Sequence, residues 1–168
     1  HITIAKQSFE SAIELNRESG IAWLGIARCE RLLGNFEIAK EALDRASRLL
    51  DSEPTVDAES ALLALDMDDL IEANRLIESA AIGLEDTALI GYLRGNLACR
   101  QGNFIAARNY FDDVLERFNP LHVRARLNRI AASLALGLHD SAMDDCGILL
   151  EQAPELTLAK CRMADTLM

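Results

Sequence analysis

Aromatic residues make up only 5% of this 168-residue chain, and proline occurs three times. A core so poor in rings has to be assembled from leucine, isoleucine and alanine, which suits helix packed on helix better than a sheet. The three prolines and nine glycines fall mostly where segments meet, so no low-complexity linker is present. No apolar run reaches the roughly 18 residues of a membrane-spanning helix. Positive charge is scarce: 17 Lys and Arg against 27 Asp and Glu leave a net charge of −10. That balance is wrong for phosphate binding, which needs a net basic surface or stripe, so nucleic acid is not an expected partner. Four cysteines, Cys29, Cys99, Cys146 and Cys161, form no C-x-x-C pair. Cys29 and Cys146 fall where helix packing wants a small apolar side chain. They read as free thiols of a reducing compartment, which points to the cytoplasm, rather than as a disulfide framework or zinc site.

Chemistry is equally thin. His1, His122 and His139 fall at the start of the chain and in inter-helix turns, without the spacing to Cys or carboxylates that a metal site needs. The dyads Asp68-Asp69, Asp112-Asp113 and Asp144-Asp145 do not form paired acids, because neighbours on a helix point about 100° apart. The first dyad sits at a helix start, where acids suit the macrodipole; the other two are expected to be solvated. Gly91-x-x-x-Gly95 lies inside a helix and reads as close packing rather than a phosphate loop. No enzyme activity, metal or cofactor is expected.

What the chain does have is a period. Ala5, Ala39, Ala73 and Ala107 are 34 residues apart, and Ala12, Ala46, Ala80 and Val114 repeat seven residues further on. Phe9, Leu43, Ile77 and Phe111 lie between them, and Gly34-Asn35-Phe36 returns as Gly102-Asn103-Phe104. Ala39, Leu43 and Ala46 stand at i, i+4 and i+7, one stripe of a helix, and Trp23 through Leu33 reads as another helix before the Gly34-Asn35 turn. Each period is therefore a helical hairpin. Small residues let the backbones approach, and the large residue between them fills the adjacent hole. Self-similarity at this period marks a repeat architecture with an extended surface.

The pattern resembles the tetratricopeptide repeat, with W-x2-L-G-x2-Y, then A-x3-F, then A and a closing P. Trp23 takes the Trp place, Ala39 and Ala46 the two alanines, and Leu43 the Phe place. Repeats fall at 20–53, 54–87, 88–122 and 123–156, the last after one extra residue, preceded by a half repeat at 1–19 and followed by a terminal helix at 157–168. The departures are a single Trp, Asp68 where Gly is usual, and a closing Pro in place only at Pro154. The expected fold class is all-α, a right-handed α-α superhelix of about ten antiparallel helices, near 2–16, 20–33, 36–50, 55–67, 69–83, 86–101, 104–118, 122–136, 139–152 and 156–167. The phase makes residues 4–15 the second helix of a repeat, so the chain reads as one solenoid fragment of a longer bacterial signalling or assembly protein.

The resemblance implies that first helices line a concave groove, with positions 2, 5, 9, 12 and 13 of each repeat facing a partner. Those positions include Ile21, Leu24, Arg28 and Arg31; Ala58, Leu62 and Leu65; Leu89, Tyr92, Asn96, Cys99 and Arg100; and Arg124, Leu127, Ala131 and Leu134. The residues expected to hold a protein or peptide partner are Arg28, Leu62, Tyr92, Asn96, Arg100, Arg124 and Leu127. Seven arginines stand on the first helices against four acids, which favours an acidic partner. The carboxylate clamp of chaperone-binding members is missing: Leu24, Arg28, Glu59, Leu89 and Leu93 stand in its places. The alternatives are a self-associating spacer that stacks through its terminal helices and, less favoured, a helical repeat that reads RNA, for which only Arg124, Arg126 and Arg129 cluster.

Overall fold

The computed structural model describes residues 1–84, 86–152 and 154. Among them every regular element is a helix: α1 (Ile2–Leu15), α2 (Gly20–Leu32), α3 (Phe36–Leu49), α4 (Pro54–Asp66), α5 (Leu70–Leu84), α6 (Ala88–Arg100), α7 (Phe104–Asp113), a π turn (Val114–Phe118), α8 (Val123–Ala135) and α9 (His139–Gln152). The expected helix near 156–167 lies outside the described residues. Contacts divide the chain into two compact units, His1–Leu93 and the part from Arg94 onward, with the border inside α6.

In the first unit α1 packs on α2, and α2–α3 and α4–α5 are hairpins. Ala39, Ala46, Ala73 and Ala80 have no exposed surface. Each lets a neighbouring helix come close, and Leu43 and Ile77 fill the holes between them. Leu43, Ile26, Val56 and Leu63 share one core cluster, with Phe9 and Trp23 packed against it. Trp23 donates from Nε1 to the Arg17 carbonyl at 2.9 Å, and the Arg45 guanidinium lies 4.4 Å above its ring.

In the second unit Ala107 and Phe111 take the same places. A side chain on Gly95 would collide with the Phe111 ring, so this glycine does serve close packing. Ile130, Ala142, Cys146 and Leu149 form the cluster between α8 and α9.

The hairpin turns share one geometry. The backbone N–H groups of Asn35, Asp69, Asn103 and Leu138 donate to the carbonyls of Glu30, Ala64, Ala98 and Ser133 at 2.8–2.9 Å. These six-to-one bonds close each helix and require a left-handed residue just before them. Gly34, Gly102 and Gly137 supply it with φ of 82°, 74° and 72°, and Asp68 adopts φ of 62° in the remaining turn. Aspartate is among the few residues with a side chain that tolerates this region, so the substituted turn keeps its shape.

The extra residue before the fourth repeat is stored in the π turn. Asn16 and Leu50 donate to Ala12 and Ala46, four residues back, whereas Asn119 donates to Val114, five back, at 2.9 Å. Ala12, Ala46 and Val114 occupy the same place in the period. One widened hydrogen-bonded ring thus absorbs one residue without a loop, as π bulges do.

Candidate partner-binding faces

On the first-helix side of the first unit, Ile21 is 72% exposed and Leu24 and Leu62 are half-buried. Arg28 is exposed, but its Nε donates to Glu59 Oε1 at 2.8 Å and its Nη2 bonds the same oxygen. Arg31 is buried; its Nη1 donates to Asp66 Oδ2 at 2.7 Å, while its Nε lies 3.9 Å from Glu59 Oε2 as an ion contact without a hydrogen bond. Charge on this face is therefore cancelled between α2 and α4. Ala58 and Leu65, expected to meet a partner, are 1% and 3% exposed and belong to the core. Tyr92, near the end of this unit, is half-buried.

In the second unit, Asn96 on α6 accepts a hydrogen bond from Asn128 Nδ2 on α8. Arg100 and Arg124 are exposed, Cys99 and Leu127 are half-buried, and Leu127 also packs on the α8–α9 cluster. Burial pushes the Cys99 and Cys29 thiols above their ordinary value, so neither is an activated thiolate. Arg126 and Arg129, counted with Arg124 as a basic cluster, turn inward instead. Arg126 donates to Asp145 Oδ1 at 2.8 Å and to the Pro120 carbonyl at 2.6 Å. Arg129 holds both Asp145 oxygens at 2.6 and 2.7 Å and Asp112 Oδ1 at 2.6 Å. Asp145 is 2% exposed, which corrects the expectation of a solvated dyad: a carboxylate can be buried when two guanidinium groups satisfy it. The Asp145 bonds in the first place, with those of Asp112, hold the Arg129 pKa above the ordinary guanidinium value against the effect of burial.

The structure thus brings Arg28 and Leu62 onto adjoining first helices in one unit, and Asn96 against α8, which carries Leu127, in the other. Sequence reading missed Glu59, Asp66 and Asn128 as neighbours. Their signal was complementary side chains spaced near one period: 31, 35 and 32 residues apart.

Buried Glu30 sits between Lys6 Nζ and Asn35 Nδ2, each 2.8 Å away. Burial pushes its pKa up, but the Lys6 and Asn35 bonds outweigh it and leave the carboxyl below its ordinary value. His122 caps α8, its Nδ1 accepting from the Ala125 N–H at 3.1 Å, and burial holds its pKa below the usual imidazole value. Among the described residues no three His, Cys, Asp or Glu side chains cluster as a metal site.

A cavity of about 310 Å³ opens between α3, α4 and α5. Leu43, Val56, Leu63, Ala64 and Leu76 form its floor, and Lys40, Asp44, Asp57, Asp69, Glu72 and Arg75 line its rim. Arg75 grips Glu72 with bonds of 2.8 and 2.6 Å, Asp69 caps α5 through the Glu72 N–H, and Ser79 donates to Asp57 at 2.6 Å.

The tetratricopeptide repeat family model matches residues 1–54 and 92–156. The chain belongs to the tetratricopeptide repeat family. Its fold class is accordingly all-α, of the α-α superhelix type. Among solved structures, TTC0263, a thermophilic tetratricopeptide protein of Thermus thermophilus, is 20% identical with a TM-score of 0.81, over 99% of this chain and 90% of its own. The Cut9–Hcn1 hetero-tetramer of the APC/C is 20% identical with a TM-score of 0.79 over 91% of this chain, which spans 31% of that one. YrrB, a tetratricopeptide protein with an unusual peptide-binding site, is 23% identical with a TM-score of 0.60, over 89% of this chain and 77% of its own. At these identities the likeness is one of fold. No curated protein matches the chain. Tetratricopeptide proteins are generally non-enzymatic scaffolds that mediate protein–protein interaction. No helix among the described residues is long and apolar enough to cross a membrane.

Proposed function

We propose that this chain is a scaffold domain that binds a peptide or helix of a partner protein on the exposed sides of its first helices, and that the second unit selects acidic segments. The observation that carries the reading is the exposure of Arg124 on α8, in a chain whose net charge is −10. Guanidinium groups on such a background attract carboxylates and bond them in bidentate fashion. Asn96 and Leu127 add polar and apolar contact beside them. In the first unit Leu62, Leu24 and Ile21 offer apolar area, while Arg28 is already matched by Glu59. The peptide-binding site of YrrB agrees with this use of the fold.

Fluorescence anisotropy with acidic peptides and their charge-reversed counterparts tests the reading. Acidic peptides should bind at least tenfold tighter, and less so as salt rises. Arg100→Glu with Arg124→Glu should remove the preference and leave the helical circular dichroism unchanged; undiminished binding would exclude this face.

A second reading, self-association, draws on α1, which buries no residue and leaves Ile4 64% and Leu15 90% exposed. Light scattering over a concentration series should then show a dimer that Ile4→Glu dissolves.

A further inference from the structure

The wedge between α3 and α5, floored by α4, has a counterpart between α7 and α9, floored by α8. The period aligns them residue by residue. Asp44 corresponds to Asp112, Lys40 to Arg108, Asp57 to Arg126, Ser60 to Arg129 and Glu72 to Ser141. In the second unit α8 sends two arginines into its wedge: Arg129 spans from Asp112 to Asp145, Arg126 lies beside it, and Arg108 donates to Ser141 at 3.2 Å. In the first unit the two arginines are replaced by the shorter Asp57 and Ser60, and the cavity of about 310 Å³ remains. Asp44, the counterpart of the carboxylate that Arg129 binds, makes no hydrogen bond or ion pair among the described residues and is exposed.

We infer that this cavity takes an arginine side chain offered by a segment of a partner protein, its guanidinium against Asp44 and Asp57 and its methylenes on Leu43, Leu63 and Leu76. The lining has four carboxylates against Lys40 and Arg75, and Arg75 is occupied by Glu72. The size, at the small end of ligand pockets, fits one or two side chains rather than a folded surface. The internal repeat shows which chemistry the wedge accepts: a planar guanidinium bonded to an acid on the preceding second helix, which a lysine ammonium does not reproduce. The site lies against second helices and selects base, so it is independent of the acid-selecting face proposed above.

The test is titration of 15N-labelled protein with acetyl-Leu-Arg-Leu amide and with its citrulline counterpart, which keeps the shape and drops the charge. Amide shifts should be confined to α3, α4 and α5, and citrulline should bind at least tenfold more weakly. Asp44→Asn should weaken the arginine peptide at least tenfold with unchanged circular dichroism, while Arg100→Glu with Arg124→Glu should leave it untouched. Ser60→Arg, which gives α4 the residue that α8 carries, should fill the cavity and abolish binding; if that variant fails to fold, Asp44→Asn decides. Shifts elsewhere, equal binding of citrulline, or undiminished binding to Asp44→Asn would each overturn the inference. So would a concentration-dependent dimer of the parent that Asp44→Asn dissolves, since the wedge would then belong to a second copy.

Discussion

In the first unit the arginines of a first helix are answered by acids on the next first helix, Arg28 by Glu59 and Arg31 by Asp66. In the second unit the arginines of α8 turn the other way and are answered by acids on second helices, Asp112 of α7 and Asp145 of α9. The same hairpin therefore carries its charge on either side. The first choice neutralises the first-helix face and leaves a wedge open behind it. The second carries Arg126 and Arg129 into the wedge and leaves Arg124 exposed on the face. A family's repeat fixes which positions are core, but the direction in which long cationic side chains are satisfied decides which surface is left for a partner.

The heaviest blow to this contrast is Asp145→Ala. It strips Arg126 and Arg129 of a carboxylate that is 2% exposed, and removing one side of a buried ion pair costs roughly 3–5 kcal/mol. Urea unfolding should show it, whereas Asp44→Ala at the open wedge should change stability by less than about 0.5 kcal/mol. Ala73→Leu comes next: with no exposed surface at the crossing, the larger side chain should overpack and cost roughly 1–3 kcal/mol, read from the melting temperature.

The α8 cap sharpens the contrast in pH. His122→Ala should cost about 1 kcal/mol, and His122→Asn, itself a good cap, should restore most of it. Only the neutral imidazole accepts the Ala125 N–H. With its folded pKa depressed by burial, the cap's contribution is present above the ordinary histidine pKa and lost as pH falls through the lower folded value. Urea midpoints across that range should fall in the parent and stay level in His122→Asn. The smallest effect belongs to the turn: Asp68→Gly relieves the left-handed strain at φ 62° but loosens the unfolded chain, so a change under about 1 kcal/mol is expected, in the stabilising direction.

Much of this was legible in the chain itself. The 34-residue alanines predicted buried crossings, because backbone approach leaves little choice of side chain, and among the described residues the expected helix ends fall within two residues when α7 is taken together with its π turn. Asp68 was visible as a departure, and its turn obeys the same geometry as the glycine turns. Ion-pair partners left a weaker signal than the alanines for a physical reason. A stride of 34 lines up equivalent positions, whereas the pairs join non-equivalent ones 16, 17, 31 or 35 residues apart. Ala58 and Leu65 were assigned to a binding face from their position in the repeat, yet neighbouring packing covers them. The extra residue before the fourth repeat was countable, but nothing in its side chains says that a helix rather than a loop would absorb it.

The π turn at Val114–Phe118 behaves like an edge dislocation in a crystal. One additional unit enters, the lattice is distorted over a few positions, and the regular spacing resumes beyond it, with Gly102 and Gly137 setting equivalent turns on either side. A dislocation has a core that must be held together. Here Arg126 serves that purpose, bonding the Pro120 carbonyl just past the distortion and Asp145 on α9. A hairpin transplanted from this region into another array would therefore have to travel from Val114 through Asp145 as one piece; cut anywhere between, it would leave the misfit without its anchor.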